Sequence, residues 1–206
     1  TVRMGVSFGF FMRSKRSTQR GAASWSHADL CPCGPSPEPP VPRSGAVIGA
    51  IAGDVIGSVH EWAGTKRTDF PLWAPASRFT DDTVLSVAVA EHLLTGDDLA
   101  DLFHAYVRAY PHAGYGGTFV RWAWEGRREP YGSWGNGSAM RVSPVGFAAR
   151  TRDEVWELAA ATAAVTHDHP EGIEGARAVA LAIYLARQGH GRDEIRVELE
   201  RATGYD

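Results

Sequence analysis

The stretch VIGAIAGDVIG, residues 47–57, can be read as a helix or as a buried strand, and that choice decides the fold. Its valines and isoleucines suit a strand, but the run is long, rich in alanine and spaced for a helix. Ile48, Ile51, Val55 and Val59 recur every three or four residues, while Gly49, Ala50 and Ala52 allow close approach by a second helix. Residues 83–94 are apolar on nearly all sides, as in a central core helix. Residues 98–109 continue with Leu99, Leu102, Phe103 and Tyr106 and stop at Pro111. Residues 154–165, 172–187 and 193–202 add three further helical segments, each rich in Ala, Leu, Glu and Arg. No segment alternates with period two over a useful length. The expected class is therefore all-α, with glycine-bearing loops carrying the chemistry.

A chain of 206 residues can bury one sizeable core, and residues 45–206 form the expected helical domain. The segment CPCGPSPEPPVPR, residues 31–43, is too proline-rich for helix or ladder, so residues 1–44 read as a disordered or non-native extension and linker. Upstream, Arg3, Arg13, Lys15, Arg16 and Arg20 occur with no acid through residue 28, a composition like a transit peptide. These charges mostly follow the apolar GVSFGFF rather than precede it, which fits a secretory signal poorly. The first residue is Thr1, so an upstream extension or a fragment is the expectation.

Net charge is −3, which does not provide the electrostatics of a general nucleic-acid binder. No apolar run approaches about 18 residues, so no membrane span is expected. Cys31 and Cys33 are too few for a zinc site and too close for an ordinary disulfide, and a cytoplasmic setting is the default.

Four segments carry chemistry. In GDVIGSVHEW, residues 53–62, Asp54 and Glu61 lie seven apart, two turns along one helical face; an exposed acidic edge is the plain alternative. In RFTDDT, residues 78–83, Thr or Asp oxygens can cap a helix, but one acid suffices for that. Thr80, Asp81 and Asp82 are hard oxygen donors of the kind Mg²⁺ or Mn²⁺ prefers, and a shared cation gives the second acid a reason. In YGSWGNGSAMR, residues 131–141, Gly135, Asn136, Gly137 and Ser138 offer backbone N–H groups for a phosphate, and Trp134 offers a flat face for a base. The alternative there is a turn with Ser138 as N-cap. In THDHPEG, residues 166–172, His167 and His169 lack cysteine partners for zinc, and a polar helix-capping loop is the commoner reading.

In this order and spacing, GDVIGSVHEW, RFTDDT, GSWGNGSAMRVSPVG and THDHPEGIEGARAVALAI resemble the ADP-ribosylglycohydrolase family, the group that includes dinitrogenase-reductase-activating glycohydrolases. The resemblance covers residues 44–206. It implies an all-α orthogonal multi-helix bundle with two Mg²⁺ (or Mn²⁺) ions at a cleft, and hydrolysis of the bond joining ADP-ribose to a protein side chain or small acceptor. By the same resemblance Thr80, Asp81 and Asp82 are metal ligands, and Glu61, Asp81 and Asp82 carry the catalytic chemistry. Gly135, Asn136, Gly137 and Ser138 then hold the diphosphate, Trp134 stacks, His167 meets the ribose region, and Asp54 has a supporting role. A metal pair and a carboxylate base suit the oxocarbenium-like transition state of glycoside hydrolysis.

One departure is plain. The family's second ligand motif, Gly-Asp-x-Asp-Thr, is absent from these 206 residues, which end ATGYD. The expectation is a C-terminally truncated bundle with an incomplete second metal site, exposed apolar faces, marginal stability and weak or no hydrolase activity. A non-catalytic ADP-ribose-binding remnant and a generic Mg²⁺ phosphohydrolase are the competing readings.

Overall fold

The computed structural model describes residues 46–61 and 69–205. Among these residues there are nine helices and no strand. They are α1 (Ala46–Gly57), α2 (Asp81–Thr95), α3 (Leu99–Ala109), α4 (Gly117–Trp124), α5 (Gly137–Met140), α6 (Ser143–Ala148), α7 (Arg152–Ala164), α8 (Pro170–Arg187) and α9 (Arg192–Thr203). The expected all-α class holds. The extension before residue 45, its prolines and its two cysteines lie outside the described residues, as does Trp62.

Helix starts follow local capping chemistry. Asp98 accepts from the N–H groups of Ala100 and Asp101 at 2.9 and 3.1 Å and opens α3. Thr151 accepts from Glu154 N–H at 3.1 Å and opens α7. His169 Nδ1 accepts from Glu171 N–H at 3.2 Å and opens α8, with Pro170 at the first helical position. Gly96 and Gly204 close α2 and α9 in the left-handed conformation.

Two helices organise the packing. α2 touches α1, α3, α5 and α6, and α8 touches α5, α6, α7 and α9. Val84, Leu85, Ala88 and Val89 of α2 are buried, as the apolar run predicted, although Leu94 at its far end is 86% exposed. Phe103, Phe119 and Trp122 join α3 to α4, with the two phenylalanine rings 5.8 Å apart edge to face. Burying each such side chain contributes on the order of 2–3 kcal/mol before entropy is counted.

Three expectations need correction. α1 forms as predicted, but it is only half-buried, and Ile48, placed in its core stripe, is 64% exposed. The helix ends at Gly57, where Ser58 N–H donates to Asp54 O at 2.8 Å and the Ser58 hydroxyl to Val55 O at 2.9 Å. Val59 and Glu61 therefore lie in the turn that follows, and Asp54 and Glu61 do not share a helical face. Third, Ser138 does not cap a helix: it lies inside α5, whose N-cap is Asn136.

Candidate functional site

The site grows from the start of α2. Asp54 of α1 accepts four hydrogen bonds there: Thr80 N–H at 2.7 Å, the Thr80 hydroxyl at 2.6 Å, Thr83 N–H at 3.2 Å and the Thr83 hydroxyl. Thr80 adds a weaker cap to Asp82 N–H at 3.4 Å, and Asp81 N–H donates to Ala113 O at 2.9 Å. Capping thus falls to Asp54 and Thr80, and the carboxylates of Asp81 and Asp82 are not needed for it.

Those two carboxylates are held at electrostatic cost. Burial, then Asp82, then Glu61 and Asp54 push the Asp81 carboxyl up to about 6. Burial, Asp54 and Glu61 raise Asp82 as well. Only hydrogen bonds from their own backbone and, for Asp82, from Thr80 work the other way. Glu61 is exposed yet close enough for its charge to be felt by both. The Tyr115 phenol, buried and without a hydrogen-bond partner, is raised by burial and then by the Asp81 charge.

A second unit is built from two loops lashed together. Gly132 N–H donates to Asp168 Oδ1 at 2.7 Å, and the Ser138 hydroxyl donates to Gly172 O at 2.6 Å. A side chain at Gly172 would meet Ser133 O at 2.6 Å, and one at Gly137 would meet the His167 ring at 2.9 Å. Glycine at both positions is what lets the loops close on each other. Beneath them Arg141, 1% exposed, donates to Thr162 O at 3.2 Å and to the Thr166 hydroxyl oxygen at 2.9 Å. The Thr166 oxygen lies 2.8 Å from His167 Nδ1. Burial and then the Arg141 charge lower His167 to about 4, so its imidazole is neutral at physiological pH.

A cleft of about 240 Å³ separates these units. Asp81 lines one side, Gly135, Asn136, Gly137 and His167 line another, and Gly116 and Gly117 at the start of α4 also line it. Residues from the TDDT, GNGS and THDHP motifs, distant in the chain, are thereby brought to one cavity. A model of the ADP-ribosylglycohydrolase family matches residues 43–205, which is most of the chain. The chain belongs to that family.

Individual relatives agree. The chain is similar to ADP-ribosylhydrolase ARH3 of Homo sapiens, 30% identical over 191 residues covering 73% of this chain and 51% of that protein. It is also similar to ADP-ribosylarginine hydrolase Tri1 of Pseudomonas putida (strain GB-1), 26% identical over 191 residues covering 79% and 51%. The chain spans about half the length of the curated relatives it matches.

Within this family member the expected site residues take different positions. Asp81, Gly135, Asn136, Gly137 and His167 line the cleft. Thr80 lies behind it, 6% exposed and bound to Asp54, and Asp82 and Glu61 are outside its lining. Ser138 is 2% exposed and serves the loop through Gly172, so it does not face the cavity. Trp134 is 73% exposed at the surface, its ring 6.1 Å from that of His169. Sequence reading missed Gly116, Gly117, Tyr131 and Arg141; a glycine pair before an aromatic helix was a usable sign for the first two. Arg141 carried no such sign, because an arginine reads as surface until its burial is seen.

The donor chemistry at the head of α2 fits one hard cation: two carboxylates raised by burial and then by neighbouring acids, beside a hydroxyl with a remaining lone pair. Among the described residues, no three His, Cys, Asp or Glu side chains converge closely enough to hold a metal by themselves. No described helix is long and apolar enough to cross a membrane.

Proposed function

We propose that this chain binds ADP-ribose in the cleft and hydrolyses the glycosidic bond joining it to a protein side chain or small acceptor. The observation that carries the reading is the meeting of Asp81, the 135–137 loop and His167 around one cavity. Backbone N–H groups of the loop suit a diphosphate, and the neutral His167 is a fixed donor for a ribose oxygen. Exposed Trp134 is free to lie on an adenine ring from the rim. Water attacks the anomeric carbon as the bond to the acceptor breaks; Glu61, beside the Asp81–Asp82 pair, is the candidate base that takes the water's proton, and one proton is returned to the departing acceptor atom.

Thr80, Asp81 and Asp82 would hold Mg²⁺ or Mn²⁺, with Asp54 holding Thr80 through its backbone N–H and its hydroxyl. When bound, that cation supplies positive charge at the ribose, and a second ion needs ligands beyond these three. The working unit is residues 45–206, with residues 1–44 as an extension outside it; the family match from residue 43 supports that boundary. A cytoplasmic setting accompanies the reading. Arginine is the acceptor to try first, because the Pseudomonas relative is named for it.

The test is release of free ADP-ribose from an ADP-ribosylated arginine peptide, a serine peptide and O-acetyl-ADP-ribose, each with Mg²⁺, Mn²⁺ or chelator. Release that needs the cation supports the reading. Release of inorganic phosphate instead would identify a phosphohydrolase and end it. A second reading, a non-catalytic ADP-ribose binder, is favoured by the small number of converging metal donors. Calorimetric binding of ADP-ribose that ignores Mg²⁺, with no turnover, would select it.

A further inference from the structure

Arg141 is the buried charge to which the preceding reading gives no task. It forms the C-cap of α5, and its guanidinium carbon lies 4.4 Å from the Phe103 ring centroid. Its Nε and Nη1 atoms are buried with no hydrogen-bond partner, and among the described residues it forms no ion pair. A buried cation without a counter-ion is costly, and an apolar side chain of similar volume would avoid that cost. Its Nη2 is the guanidinium nitrogen with partners among the described residues, donating to Thr162 O and Thr166 Oγ1.

We propose that Arg141 is a positioning residue which, through the Thr166 hydroxyl, fixes His167 as the neutral imidazole whose proton sits on Nε2 at the cleft. A threonine hydroxyl has one proton and two lone pairs. Arg141 can only donate, and it occupies a lone pair at 2.9 Å. With the Tyr131 phenol, which also bonds the Thr166 side chain, donating to the second lone pair, the single Thr166 proton goes to His167 Nδ1 at 2.8 Å. With Nδ1 accepting, the proton of the neutral ring is on Nε2. That end of the ring lies 2.9 Å from where a Cβ on Gly137 would sit, and both residues line the cleft in which a diphosphate or ribose oxygen would lie.

The charges around His167 agree. Arg141 opposes a second cation beside it, and burial acts in the same direction. Asp168, next in the chain, favours a charged ring, but its Oδ1 is engaged by Gly132 N–H. Tyr131 packs with its ring centroid 6.1 Å from that of His167, and Asp81 is the carboxylate lining the same cleft. The geometry yields an N–H donor that does not change state across the physiological range, as recognition of an oxygen-rich anion requires. The inference rests on the reading of the cleft as an ADP-ribose site, yet its decisive measurement needs no ligand.

Long-range proton–nitrogen NMR of the ¹⁵N-labelled full chain, with His167 assigned through His167→Gln, reads the tautomer directly. The expected spectrum shows Nε2–H, neutral, from about pH 5 to 8. Thr166→Val removes the bridge at nearly constant shape and should mix the tautomers. It should also weaken ADP-ribose binding by about three- to tenfold, the value of one neutral hydrogen bond, and Thr166→Ser should restore both. Arg141→Met should shift His167 titration upward. An Nδ1–H wild-type spectrum, protonation near the ordinary histidine value, or an unchanged tautomer in Thr166→Val would each overturn the inference. If Thr166→Val does not fold, the wild-type and Thr166→Ser spectra still decide. Wild-type chain that ignores ADP-ribose but shows locked Nε2–H would sink the functional reading and leave the role of Arg141 standing.

Discussion

Asp54 Oδ2 accepts the backbone N–H of Thr80 at 2.7 Å, and this bond joins the last turn of α1 to the residue that opens α2. Because Asp54 also takes both hydroxyls and Thr83 N–H, it does the capping that would otherwise occupy Asp81 or Asp82. The acidic pair is thereby left for a ligand.

Asp54→Ala should cost about 2 kcal/mol, since hydrogen bonds to a charged acceptor are worth about 1.5–3 kcal/mol and water can replace part of this half-buried set. Asp54→Asn keeps an acceptor oxygen and should lose less. Urea denaturation measures both, and an Asp54→Ala midpoint equal to wild type would remove Asp54 from its supporting role.

Asp81→Asn should stabilise the chain in metal-free buffer at pH 7, by about 1 kcal/mol. It removes one member of a crowd of carboxylates that includes Asp82, Glu61 and Asp54. In wild type, added Mg²⁺ should raise the melting temperature, and in Asp81→Asn it should not. Thermal melts with and without Mg²⁺ check both parts. A destabilised variant with a full Mg²⁺ response would contradict the metal assignment.

His167 predicts an acid limb in stability. Its folded value, about 4, lies below the ordinary 6.5, so between these values the unfolded chain binds a proton that the folded chain does not. Stability contributed by the neutral ring is present above about 6.5 and is lost as pH falls toward about 4. His167→Gln should flatten this limb relative to wild type, whatever its baseline cost. Melting temperatures between pH 4 and 7 provide the comparison, and parallel curves would refute it.

The long helices were legible because their signals are local. Residues 83–94, 98–109 and 172–187 carry apolar runs bounded by Thr80, Asp98, Pro111 and His169, and α2, α3 and α8 follow them. α4 was not, because Thr118, Phe119, Val120 and Trp122 are weak helix formers whose order comes from packing against α3. α1 had the right period but the wrong burial, since period fixes a face and not what covers it. At the site, the acids, the glycine loop and His167 were recognisable as motifs, whereas the Asp54–Thr80 link and the Arg141–Thr166–His167 chain span 25 residues or more in part and exist only once the helices pack. Ser138 shows the converse: its type suits a phosphate loop, but its hydroxyl is committed to Gly172.

Gly172 and Gly175 share α8 and should respond oppositely to alanine. At Gly175 a new Cβ meets nothing within 4 Å, so Gly175→Ala gains helix propensity and should stabilise by up to about 1 kcal/mol. At Gly172 the same atom would sit 2.6 Å from Ser133 O and 3.1 Å from His167 Cβ. Ser133 O is backbone, so the 132–137 loop must move, and overpacking of this kind costs about 1–3 kcal/mol. That exceeds the propensity gain, which is reduced in a first helical turn, leaving a net loss of about 1–2 kcal/mol. Displacing the loop also separates Gly137 from His167, so ADP-ribose affinity should fall further than stability alone explains. Urea titration and calorimetry on the two variants separate these effects. Equal stability changes at the two glycines would show that the loop yields freely and that its contact with α8 does not shape the cleft.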